Sequence, residues 1–147
     1  MAQFDQIPSQ ERIVDTMIEL TRAAPCHRLI VAGSDAFNVY LSLHQRGFSR
    51  AVTTATCRFP CSQHDVALIA GEHSVQALEA LLVRVLPFLK TSAAVAVRLG
   101  SGGQLDGGKL QSLLERTGFR VEVGSRCESG FVLSARRREC GHLANAA

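Results

Sequence analysis

Leu29-Ile-Val-Ala-Gly33-Ser-Asp35-Ala-Phe-Asn-Val-Tyr-Leu-Ser-Leu-His-Gln-Arg-Gly47-Phe48 is the stretch on which the fold turns. It opens with a short apolar run that does not alternate with polar residues. Such a run suits a strand buried on both faces, as in a parallel sheet. The run reaches a glycine, turns at Ser34-Asp35 and continues as an amphipathic segment over residues 35–46. A Ser34 or Asp35 side-chain oxygen can cap that helix by accepting a free N–H of its first turn. Gly47 can adopt the left-handed conformation that closes it. Strand, glycine turn and helix in this order build the ligand crevice of many α/β proteins. Nucleotide-binding loops usually hold several glycines; this one holds Gly33 alone.

The same pattern repeats outward from there. Upstream, residues 1–8 read as a loose arm ending at Pro8, and a helix follows from Ser9 with Ile13, Val14, Met17, Ile18 and Leu20 on one side. Ala23-Ala24-Pro25 ends it. Downstream, β-branched Arg50–Thr56 reads as a second strand and the continuous apolar run Asp65–Gly71 as a third. A helix carrying Val75, Leu78, Leu82, Val85 and Leu89 comes next, with Pro87 expected to kink or end its last turn. Ala93–Leu99 is a fourth strand. Asp106 is placed to cap a helix that buries Leu110, Leu113 and Leu114, ends at Gly118 and packs back through Phe119. Residues 120–127 and 131–138 flank Glu128-Ser-Gly130 as a hairpin. Strands alternating with helices predict a parallel sheet covered on both faces.

Composition sets the class. The 147 residues fit one domain over 1–147, with 1–8 and 140–147 expected to be flexible. No apolar run is long enough to span a bilayer: residues 77–97 are broken by Arg84, Pro87 and Lys90. The first residues lack a basic region followed by an apolar core, so no secretory signal is read. Five cysteines without such a signal suit reduced thiols and a cytoplasmic location. A net charge of +3, no Trp and one Tyr argue against nucleic acid as partner. Arg136-Arg137-Arg138 reads as a solvated strand end.

The order of elements, closing on Thr117-Gly118-Phe119 and a strand pair, resembles the class I S-adenosylmethionine-dependent methyltransferases. Leu29–Gly33 with the 35–46 helix is similar to their first strand and loop. His64–Ala70 through Arg84-Val-Leu-Pro-Phe-Leu-Lys90 is similar to their fourth strand and the helix after it. Leu110–Phe119 with its hairpin is similar to their closing helix and last two strands, so the likeness spans residues 27–138. It implies an α/β three-layer sandwich, a mainly parallel sheet with an antiparallel C-terminal hairpin. It also implies S-adenosylmethionine as cofactor, with Gly33, Ser34, Asp35, Thr53, Thr54 and Gly71 at the binding positions. Glu72 and His73, after the third strand run, become the catalytic candidates, His73 as general base and Glu72 orienting it. A bland reading competes: a polar loop in which Ser74 caps the next helix.

The chain also departs from that family. Its loop lacks the acid-x-Gly-x-Gly-x-Gly pattern that lets backbone approach the cofactor. The second strand ends in threonines, not in an acid that holds the ribose hydroxyls, and the usual third helix and strand have no room between Thr56 and Asp65. A Pro-Gly-Gly turn after Lys90 is replaced by Thr91-Ser92. Against the dinucleotide fingerprint, Gly33, Asp35 and Asn38 give one match in three. Cys57, Cys61 and His64, with Cys140 and His142, do not have the paired spacing of zinc modules, so no metal is expected. His44 reads as a packed histidine. The expectation is a methyltransferase-like domain with poor or lost S-adenosylmethionine binding that serves association, with a small methyltransferase as the alternative. A homodimer is expected, because a second strand left at the sheet edge needs its N–H and C=O groups satisfied.

Overall fold

The computed structural model describes residues 3–56, 63–71, 74–100, 107–127 and 130–137. Helix α1 (Gln3–Thr21) leads to strand β1 (Leu29–Ala32), helix α2 (Ala36–Gln45) and strand β2 (Ala51–Thr53). Strand β3 (His64–Ile69), helix α3 (Val75–Val85), a 3-10 turn (Leu86–Phe88) and strand β4 (Leu89–Gly100) follow. Helix α4 (Gly107–Arg116) and strands β5 (Phe119–Cys127) and β6 (Gly130–Arg137) complete the order. The strands form one sheet in the order β2-β1-β3-β4-β6-β5. β1 lies parallel between β2 and β3, β4 is parallel to β3, and β6 pairs antiparallel with β4 and β5. This is the α/β sandwich that the apolar runs predict.

The missing alternation in those runs has a direct cause. Ile30, Ala32, Ala67, Ile69, Val95 and Val97 face one core with Leu78 and Leu82 of α3 and Leu110, Leu113 and Leu114 of α4. Leu29, Val31, Val66 and Leu68 face a second core with Val14 and Met17 of α1 and Val39 and Leu43 of α2. Each central strand feeds both cores, so Leu29–Ala32, Val66–Ile69 and Ala93–Val97 are apolar throughout.

Helix ends follow local chemistry. α2 closes in a Schellman motif: the Phe48 N–H donates to the Leu43 carbonyl at 3.0 Å and the Gly47 N–H to His44 at 3.1 Å. Gly47 takes φ +92°, and Phe48 is buried in the same core as Leu43. Gly118 takes φ +103° after α4, and Phe119 is fully buried behind it. Ser74 caps α3 by accepting the Ala77 N–H at 3.2 Å. Pro87 sits in the 3-10 turn that ends α3. α1 ends in the same motif as α2 but with Arg22 at φ +56°, the Ala23 N–H reaching Ile18 and the Arg22 N–H reaching Glu19. The left-handed residue, rather than Pro25, stops the helix.

Several boundaries differ from the sequence reading. α1 begins at Gln3, so Pro8 lies inside the helix; it removes one N–H there without ending the helix. β4 begins at Leu89, which the helical spacing had assigned to the preceding helix, and carries an irregularity in which Ser92 takes φ +68°. β2 ends at Thr53, not Thr56, because the chain turns there: the Thr56 hydroxyl donates to the Thr53 carbonyl and accepts the Thr53 N–H. Arg136 and Arg137 are half-buried, not solvated. Arg136 donates to the Ser92 carbonyl at 2.9 Å and pairs with Glu122, while Arg137 donates to the Leu86 and Leu89 carbonyls. Both lock the start of β4.

The Thr56 turn changes the standing of the sheet edge. With the Thr54 N–H donating inward to Val31, the groups of Ala51 and Thr53 point away from the sheet. The Ala51 N–H donates to Phe48, and its carbonyl meets His44 Nε2 at 3.1 Å. Thr56 takes both groups of Thr53. The outward groups of this short edge are thus satisfied from within the chain.

Candidate functional site

The carboxyl ends of β1, β2 and β3 meet at one end of the sheet, where helix starts converge. Gly33, Ser34 and Asp35 leave β1, Thr53 and Thr54 leave β2, and Gly71 follows β3. The fold therefore brings together all six positions that the sequence reading put in the crevice. Glu72 and His73 lie outside the described residues, as do Cys57, Cys61, Asp106, Cys140 and His142.

Two contacts shape the crevice. The Asp35 N–H donates to the Ala70 carbonyl at 3.4 Å, tying the β1 loop to the end of β3. Gly71, at φ +107°, lies so close to this loop that a Cβ built on it would stand 2.1 Å from Ser34 Oγ and 3.0 Å from the Asp35 nitrogen. Gly71 is buried beneath an exposed Ser34. The glycine that permits close approach thus serves a loop-to-loop contact within the chain. Gly33 also has a positive φ, +109°, which turns the chain out of β1.

The side chains here are turned to one another. Asp35 stands at the N-cap of α2 but makes no side-chain cap bond; its Oδ1 accepts the Asn38 side-chain amide at 2.7 Å. The expected capping by Asp35 is therefore replaced by a bond to the next turn's side chain. Thr53 Oγ1 lies 3.3 Å from Thr56 Oγ1. No carboxylate is placed at the end of β2, where the threonines bind each other.

The main shifted titrations lie at the opposite end of the sheet. His64 is buried at the start of β3, edge-on to Phe88, with Nδ1 3.1 Å from the Phe88 carbonyl. Burial holds its pKa below the ordinary value, with the Phe88 bond opposing and Arg28 adding. Burial of the neighbouring Asp65 would raise its pKa, but the Arg28 N–H and the Lys90 ammonium, 2.9 Å away, bring it below the usual carboxylate value. His64 is thus a packed residue, and no group of three or more metal-ligating side chains occurs among the described residues. His44, by contrast, is exposed: its ring lies against Tyr40 and its Nε2 serves the β2 edge.

No family model and no curated protein matches the chain. Solved structures do. It superposes on the Burkholderia thailandensis 1,6-didemethyltoxoflavin-N1-methyltransferase, solved with S-adenosylhomocysteine, with a TM-score of 0.63 over 94% of this chain and 84% of that one. The fold is that of the class I methyltransferases. The magnesium protoporphyrin IX methyltransferase from Synechocystis PCC 6803 gives a TM-score of 0.63 over 93% and 87%, and the cyclase SpnF gives 0.61 over 87% and 80%. Identities are 12%, 9% and 14%, so the likeness is one of fold. A methyltransferase fold that also carries a cyclase leaves the chemistry to the site.

Proposed function

We propose that this is a methyltransferase-like domain that has poor or no S-adenosylmethionine binding and acts by association, as a cytoplasmic homodimer without nucleic-acid partners. The contact of Ser34 with Gly71, backed by the Asp35–Ala70 hydrogen bond, carries this reading. It fills the space between the β1 and β3 ends with the chain's own atoms. No acid stands at the end of β2 to receive two ribose hydroxyls, and leaving such a pair without a charged acceptor loses about 1.5–3 kcal/mol. The donor set thus fits the cofactor badly. The alternative, a small methyltransferase of unassigned substrate, draws on fold neighbours solved with S-adenosylhomocysteine. On that reading Glu72 and His73 would supply the acid–base groups.

A thermal-shift series with S-adenosylhomocysteine separates the two. A ligand at about a thousand times its dissociation constant stabilises by about 4 kcal/mol. At about 1 mM ligand we expect a rise of less than about 2 °C, equivalent to a dissociation constant near millimolar. A rise of 10 °C or so supports the enzyme reading.

A further inference from the structure

We propose that the end of the sheet opposite the crevice docks this domain on a bilayer surface rich in anionic lipid headgroups. At that end β1 to β4 begin and the helices finish; β5 begins there too, since it runs antiparallel to β6, which runs antiparallel to β4. Arg50 and Arg28 stand just before β2 and β1, Arg120 is the second residue of β5, and all three are exposed. Arg22 follows α1 and Arg84 lies in the last turn of α3, both exposed as well. None of these five enters an ion pair among the described residues, and Arg28 reaches only the Gln63 side-chain oxygen. Arg137, at the end of β6, gives its N–H groups to carbonyls and keeps its charge unmatched. Asp15, Asp65, Glu79 and Glu122 are already paired with other cations. Among the described residues that leaves Glu19 and Glu115, in the last turns of α1 and α4, against six positive charges.

Cations at helix ends offset the helix dipole, which accounts for Arg22 and Arg84. Arg28, Arg50 and Arg120 serve strand starts, where the net dipole is small, so that account does not reach them. With strands about 4.8 Å apart, the row from β2 to β5 spans about 24 Å, and Arg50 and Arg120 mark its two ends. α1 covers one face of the sheet and α3 the other, so Arg22 and Arg84 widen the row on both sides. The cations therefore spread over a plane rather than along a groove. A plane of cations meets an anionic bilayer with most of its charges at once, whereas a nucleic-acid strand meets one row of them. The phenylalanine rings near this end, Phe48, Phe88 and Phe119, are buried, so none is offered to a base. Docking here turns the crevice away from the membrane.

Co-sedimentation of the full chain with vesicles tests this. The probes are vesicles of phosphatidylcholine alone and of phosphatidylcholine with about one-third phosphatidylserine, each at low and at physiological salt. At low salt the chain is expected to pellet with the mixed vesicles and not with phosphatidylcholine alone, and added salt is expected to release it. Arg50→Gln, Arg84→Gln and Arg120→Gln should each weaken binding about fivefold, and all three together about a hundredfold. Their melting temperatures stay unchanged, because all three side chains are exposed and make no ion pair. Lys109→Gln, at the crevice end of α4, leaves vesicle binding unchanged. Equal binding to both vesicles, no binding at low salt, or arginine variants that bind like the wild type each overturn the proposal. Tighter binding to RNA than to the mixed vesicles overturns it as well and makes the patch a nucleic-acid surface. Micromolar S-adenosylmethionine binding would overturn the cofactor reading alone and leave these vesicle affinities unaffected.

Discussion

Arg22 and Gly71 occupy the same left-handed region of backbone space with opposite consequences. A non-glycine residue there costs about 1–2 kcal/mol. Arg22→Gly should therefore stabilise the protein by about 1 kcal/mol, seen as a melting temperature higher by about 3 °C. Gly71→Ala should destabilise it by about 1–2 kcal/mol from φ alone, and by more because the new methyl meets Ser34 Oγ. Adding Ser34→Ala should recover the steric part and leave the backbone part, a separation that urea unfolding of the three variants can read. Gly47 and Gly118 were legible in the sequence because glycine after an amphipathic segment is the usual left-handed terminator. Arg22 was not legible, since nothing in its side chain announces that geometry. Asp35 looked like a cap and is placed like one, but its carboxylate went to Asn38.

Among the elements, the central strands were read correctly because burial on both faces removes polar residues from them. Their ends were read less well. Thr53-Thr54-Ala55-Thr56 is β-branched at three of its four positions, yet the Thr56 hydroxyl folds it back and ends β2. Thr56→Val keeps the shape and removes both hydroxyl bonds; we expect a loss of about 1 kcal/mol and a lower aggregation threshold as the Thr53 N–H opens, its carbonyl still accepting the Thr56 N–H. The lower end of β3 carries a pH dependence. His64 has a folded pKa below its ordinary 6.5, so as pH falls through 6.5 the unfolded chain takes up a proton that the folded chain does not. Its contribution is fully present above 6.5 and is lost on acidification until the folded group itself titrates. Asp65 acts in the same direction below its ordinary 3.8. Urea midpoints should fall between pH 7.5 and 5.5 in the wild type, and His64→Phe should flatten that interval.

At the scale of the molecule, the fold was legible because three separated stretches agreed in order: the β1 loop, the β3–α3 unit and the closing hairpin. The six crevice positions followed from that order alone, since strand ends in a parallel sheet gather at one end. What those positions do to one another was not legible. The approach of Gly71 to Ser34 depends on how far the β3 loop leans toward β1, which no spacing encodes. β2 does lie at the sheet edge, as its place in the order implies, but how that edge is satisfied was not legible, because His44 and Thr56 reach β2 groups through turns. No helix among the described residues is long and apolar enough to cross a membrane. On the function we propose, the chain's own loops occupy the crevice, which therefore holds S-adenosylmethionine poorly. Calorimetric titration of the full chain with S-adenosylmethionine and its demethylated product tests it most directly. We expect no saturable heat below the high-micromolar range for either compound; a dissociation constant near one micromolar would show that the crevice is open to the cofactor after all.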